Sequence, residues 1–272
     1  MKWAALLLAA FIGIRVPAVR SEPMQVDRTA EINRAVLDAV EKIQATAPDG
    51  GGYFTGPKAS PPESPIGFPV CLLGSKLLEP PRSTSYCSGA SYAALIGALD
   101  TLLAARAADL TPERLEAIRM QEPNGARRED FVKLWGWWNA DGPGCLYALA
   151  MYSHLGSRIG ASQAQPGDFC NIQWQHGNGH SVVFLGWERS PTGEPAMKYW
   201  SSQKGTNGLG VQTSALSTMF GMVFVRLTNP EGLFELDPGR KMEKVKIEFD
   251  SASIVAKRLK QRADPGSKIG AR

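Results

Sequence analysis

Between Asp27 and Ala47 the apolar residues Ile32, Ala35, Val36, Ala39, Val40 and Ile43 recur by threes and fours. That spacing predicts a helix with one buried stripe. The stripe stops at Pro48, and a run rich in Gly and Pro up to Pro69 predicts a long loop. Ala, Leu and Ile dominate Ser88 to Ala108, a second predicted helix. Leu110-Thr111-Pro112 starts a third, with Thr as the cap and Pro at the first helical position. The runs EDFVKLWGWW and CLYALAMYSHLG predict two more, separated by the turn NADGPG. After Gln165 the pattern changes: PGDFCNIQWQ and HSVVFLGWE are short, β-branched and aromatic, and HGNG between them signals a hairpin. AMKYWSSQ and GMVFVRL follow as further strands. Helices come first and an antiparallel sheet second, so the fold class is α+β. No internal repeat is present.

Composition supports a globular chain: 272 residues, 43% hydrophobic and 21% charged. No apolar run reaches the ~18 residues of a membrane span. Ahead of the first helix, Met1-Lys2 precedes the apolar run WAALLLAAFIGI, and Val16-Pro17-Ala18 offers small residues for cleavage. This pattern predicts a signal peptide over residues 1–21 and a secreted or periplasmic protein. The formal charge is +4, but it is uneven. Residues 240–272 hold 10 basic and 4 acidic residues. Such a tail suits contact with an anionic surface or a solvated terminal helix, and truncation after Asp237 is expected to leave the core folded. Nothing else points to nucleic acid.

The candidate chemistry starts at Cys87, in RSTSYCSGASYAAL, where a polar run meets the start of a predicted helix. A helix start presents free N–H groups and partial positive charge, which favour a thiolate and can receive an oxyanion. Ser88, Gly89 and Ala90 leave room for a carbonyl. Cys71, Cys87, Cys145 and Cys170 show no zinc-type spacing. In an oxidising compartment two disulfides are the alternative to a free thiol. A nucleophilic cysteine needs a base, and there are three histidines. His154 fits a helix end. His176 lies in the turn HGNGH, whereas His180 opens a strand and is held by it. His176 and His180 could hold a metal, but no third ligand is evident. Trp174, Trp187 and Trp200, on presumed strands, suit a core or a groove. Trp135, Trp137 and Trp138 suit helix packing, and Asp168 suits a turn.

The run YCSGASYAAL resembles the cysteine-bearing helix start of NlpC/P60 and CHAP peptidases, which share a papain-like core. AQPGDFCNIQWQHGNGHSVVFLGW resembles their next block, a Pro-Gly-Asp turn into one strand and a histidine opening the following strand. The match runs from about Pro65 to Leu227. It departs at Tyr86, where many relatives carry Asp, and in the long gap of 93 positions from Cys87 to His180. The resemblance implies a papain-like core of N-terminal helices on a small antiparallel sheet, and a secreted thiol hydrolase. Cys87 would attack an amide carbonyl and His180 would serve as base. A third polar group would orient the ring: Gln203 first, with Ser201 and Asn207 as further candidates. The implied substrate is cell-wall peptidoglycan or another peptide, with no cofactor, no metal and a monomeric state. The organisation expected is a signal peptide over 1–21, a helix and loop over 22–64, a catalytic domain over 65–235 and a basic extension over 236–272. Two other readings remain open on the same residues: a non-catalytic envelope-binding or structural protein, and a cysteine acyltransferase.

Overall fold

The computed structural model describes residues 27–53, 68–78, 84–119, 153–236 and 248–263. Helix α1 (Arg28–Ala45) begins where the Asp27 carboxylate accepts the Thr29 N–H at 3.0 Å. Its stripe of Ile32, Ala35, Val36, Ala39, Val40 and Ile43 is buried. A hairpin of β1 (Val70–Leu72) and β2 (Ser75–Leu78) follows. Helix α2 (Cys87–Leu102) has no polar stripe, and it is buried almost throughout. It packs closely on α1: a Cβ at Gly97 would come within 2.9 Å of Ala39. Helix α3 (Pro112–Ile118) is capped by the Thr111 hydroxyl. The two helices and the aromatic run expected between Gln121 and Tyr152, including Trp135, Trp137, Trp138 and Cys145, lie outside the described residues.

One antiparallel sheet forms the body of the rest. Its strands are β3 (Gly156–Ile159), β4 (Phe169–Trp174), β5 (Gly179–Arg189), β6 (Pro195–Gln203), β7 (Gly208–Ala215) and β8 (Met219–Leu227). Their spatial order is β3-β8-β4-β5-β6-β7, and the short β9 (Asp250–Ser251) pairs with β8. Side chains alternate across it. Phe169, Val183, Trp200, Val223 and Val225 face α1 and α2. Cys170, Val182, Phe184, Met197, Tyr199 and Phe224 form a second core on the other face. There they meet Ala252 and Val255 of helix α4 (Ala252–Ala263). Polar contacts also tie α1 to the sheet and to the turn that enters it. The Trp200 indole N–H donates to Gln44 at 2.7 Å, and Asn33 donates to the Asp168 carboxylate at 3.2 Å.

The α+β class agrees with the sequence pattern. Strands β1, β2, β3 and β7 are additions to it. They are short, or, in β7, opened by Gly208-Leu209-Gly210, which dilutes the β signal. The basic extension is not separate from the core. Within it, β9 extends the sheet, and Ala252 and Val255 are buried. Asp168 is more than a turn residue. It is fully buried and paired with Arg226 through two contacts of 2.7 and 2.8 Å. No helix of the described residues is long and apolar enough to cross a membrane.

Candidate active site

The site forms where the start of α2 meets the rim of the sheet. Cys87 is the first residue of α2, and its N-cap Tyr86 makes no side-chain cap. The thiol thus sits at the helix start among the first backbone N–H groups. The backbone N–H groups of Ser181, Ser88 and Cys87 itself all face the sulfur. Ser181 directly follows His180, so strand β5 delivers the histidine within one residue of the thiol. Alternation along β5 turns Ser181 toward α2 and the His180 ring toward Tyr199, whose ring lies 5.7 Å away edge-on. Trp174 covers the ring from β4, with centroids 6.1 Å apart. His180 is 7% exposed.

Strand pairing places the third group. Val183 pairs with Trp200 across β5 and β6. Continued antiparallel, that register sets His180 opposite Gln203. Gln203 Oε1 stands 3.3 Å from His180 Nε2. The amide cannot be turned round, because its Nε2 donates to the Gly210 carbonyl at 3.1 Å and to Thr206 Oγ1 at 2.7 Å. A carbonyl accepts only, and Thr206 spends its own proton on the Gly208 carbonyl. Gln203 therefore presents an acceptor, and His180 Nε2 carries the proton. That tautomer leaves Nδ1 with a lone pair able to accept a proton.

Burial sets the resting charges. Desolvation pushes the Cys87 thiol above its ordinary value, against the three N–H groups that favour thiolate. Desolvation likewise pulls His180 down to about 4, against the Gln203 hydrogen bond. The helix start was expected to lower the thiol pKa; here burial outweighs it. At neutral pH the resting pair is a neutral thiol and a neutral imidazole. Among the described residues, no hydrogen bond joins thiol and ring in this conformation.

Sequence reasoning missed Tyr53. The run Gly50-Gly51-Gly52 lays Tyr53 beside Ser85, two residues ahead of Cys87. Burial first, and then the nearby Cys87 thiolate, push the Tyr53 hydroxyl up to about 12. Three consecutive glycines before an aromatic were the available signal, because they let backbone approach backbone. A Cβ at Gly208 would lie 2.0 Å from the Gly50 carbonyl, and Gly208 itself has φ +116°. The Gly52 N–H donates to the Asn207 carbonyl, and the Leu209 N–H to that of Gly50.

The other candidates fall elsewhere. Ser201 is fully buried and donates to the Ser181 carbonyl at 2.6 Å. Asn207 is the left-handed residue of the turn after β6. His176 is exposed in the hairpin turn and stacks on Trp174 at 6.3 Å. His154 has a left-handed backbone just ahead of β3. Trp200 and Trp187 pack in the two cores, and only Trp174 of the three borders the site. Cys71, Cys87 and Cys170 are free thiols rather than disulfide partners. No family model, curated protein or solved structure matches this chain.

Proposed function

We propose that this chain is a thiol hydrolase that cleaves amide bonds through Cys87, His180 and Gln203, with peptidoglycan peptides as the substrate class. The observation that carries the reading is the Gln203–His180 pair, locked in the Nε2–H tautomer on the strand whose next residue, Ser181, meets the helix that Cys87 starts. The resemblance of YCSGASYAAL and the His-headed strand to NlpC/P60 and CHAP peptidases supports it, as does the predicted export signal.

Because both partners rest neutral, the thiol proton leaves as the sulfur attacks rather than beforehand. Cys87 Sγ bonds to the amide carbon while His180 Nδ1 takes the thiol proton. The carbonyl electron pair moves onto oxygen, where the N–H groups at the start of α2 receive it. The C–N bond then breaks, and the imidazolium returns its proton to the leaving amine. Water, deprotonated by His180, attacks the thioester and releases the carboxylic acid and the thiol. Gln203 holds the ring through both steps. Water access distinguishes this reaction from acyl transfer to an amine.

The test is digestion of purified peptidoglycan, with fragments identified by mass. Wild-type protein should release peptide fragments carrying new amine and carboxyl ends. Cys87→Ala and His180→Ala should release none. Digestion that survives Cys87→Ala would overturn the proposal.

A further inference from the structure

Around the site lie five buried serines in a region otherwise built largely from apolar side chains. Ser85, Ser91, Ser181, Ser201 and Ser202 are each 3% exposed or less. Ser85, two residues before Cys87, bonds Ser202 of β6 at 2.7 Å. Next to Ser202, the Ser201 hydroxyl donates to the Ser181 carbonyl of β5 at 2.6 Å. The Ser181 hydroxyl donates to Ser91 of α2 at 3.0 Å, and Ser91 donates to the carbonyl of Cys87 at 3.2 Å. Through the β6 backbone, where Ser201 and Ser202 point to opposite faces, these links tie the chain just before Cys87 to β6, β6 to β5, and β5 through Ser91 back to Cys87. Each hydroxyl costs desolvation that an alanine methyl would avoid, and each is satisfied only in one register of helix against strands.

We propose that this buried serine circuit, with the Ser91–Ser181 pair at its centre, positions the Cys87 thiol against strand β5. Ser181 has two parts in it. Its side chain grips α2 through Ser91, and its N–H faces the Cys87 sulfur. Releasing the grip moves the N–H from the sulfur and removes a group that stabilises thiolate. Ser91 and Ser181 are positioning residues: they touch the backbone and the neighbours of the nucleophile. The inference refines the proposed hydrolase site, but its consequence is a property of the thiol and needs no substrate.

The test is the rate of Cys87 alkylation by iodoacetamide as a function of pH, read by mass at the Cys87 peptide. Full-length wild type, Ser91→Ala, Ser181→Ala and the double variant are compared. Each single variant should move the midpoint upward by about 0.5 to 1 pH unit, slowing alkylation at a fixed lower pH by roughly three- to tenfold. The double variant should match a single one, since either change opens the same link. Ser91→Thr keeps a hydroxyl on the same carbon and should restore most of the wild-type midpoint. Ser214→Ala, which removes a hydroxyl bonded to Tyr199, serves as a control and should leave it unchanged. Wild-type midpoints in folded Ser91→Ala and Ser181→Ala, or additive shifts in the double variant, would overturn the circuit. If Ser181→Ala does not fold, Ser91→Ala and Ser91→Thr decide alone. Loss of peptidoglycan cleavage as the function would leave this result intact, because alkylation reports only the thiol.

Discussion

Acid should destabilise this protein through His180, by an amount that follows from its burial. The ring lies under Trp174 and against the Tyr199 edge, with the neutral Gln203 amide as its hydrogen-bond partner. Its pKa falls from 6.5 to about 4 on folding, chiefly by desolvation. A depressed folded pKa means the unfolded chain binds the proton first. The contribution to stability is therefore complete above pH 6.5 and is lost as pH falls through 4. With 1.36 kcal/mol per pKa unit, the loss is about 2 kcal/mol by pH 5 and about 3 kcal/mol by pH 4. Other groups also titrate in this window, so the informative quantity is a difference. Urea unfolding of wild type and His180→Gln at pH 7, 6, 5 and 4 isolates it, because glutamine cannot take the proton. The gap between the two stabilities should narrow, or turn in favour of the variant, by about 3 kcal/mol across the series. Parallel stability curves would refute the argument and show that the ring is solvated or that its proton has a buried partner.

Gln203→Ala should lower turnover on peptidoglycan by roughly tenfold or more, through loss of the ring's tautomer and orientation, and by less than His180→Ala; equal activity of Gln203→Ala and wild type would remove Gln203 from the site. Asp168→Ala should cost about 3 kcal/mol or more in urea unfolding, since it leaves the Arg226 guanidinium, itself largely covered, without its carboxylate; a cost below about 1 kcal/mol would show the pair to be replaceable by water. Truncation after residue 249 should lower the melting temperature clearly, because it removes β9 and the buried Ala252 and Val255; an unchanged melting temperature would show α4 to be dispensable to the core.

Much of this arrangement can be read from the chain, and the rest is hidden for identifiable reasons. Helix α1 is legible because its stripe and its Asp27 cap agree. Cys87 and His180 are legible as a helix start and a strand start, positions that fix a side chain yet leave it at a rim. Hairpin pairing brings the window Ser201 to Gln203 near His180, but the one-residue register shift in β5 between Phe184 and Gly186, which sets Gln203 itself opposite His180, is not legible. Tyr53 is not legible, because the contact that places it joins two glycine-rich loops with no periodicity. The resting charge of Cys87 is also missed: local sequence announces the helix start, whereas the burial that opposes it comes from strands far along the chain. For the same reason the tail's basic composition conceals Ala252 and Val255, two small apolar residues that meet the sheet.

The interlock of the glycine loop with the turn after β6 bears on when the site comes into being. Tyr53 and Gln203 are set on either side of one seam, where Gly50 and Gly52 meet Asn207, Gly208 and Leu209. The contacts flanking it close very long loops: Ser85 reaches Ser202 across 117 residues, and Gln44 reaches Trp200 across 156. Contacts of such separation form late, since loop-closure entropy must be met before they return any stability. A chain emerging from its N-terminus holds the Cys87 helix long before it holds β5, β6 or the turn that fixes Gln203. Cys87, His180 and Gln203 come together only once the sheet has closed over the N-terminal loop. The seam thus ties assembly of the site to closure of the sheet, and a partly folded chain carries Cys87 without the neighbours that surround it in the fold.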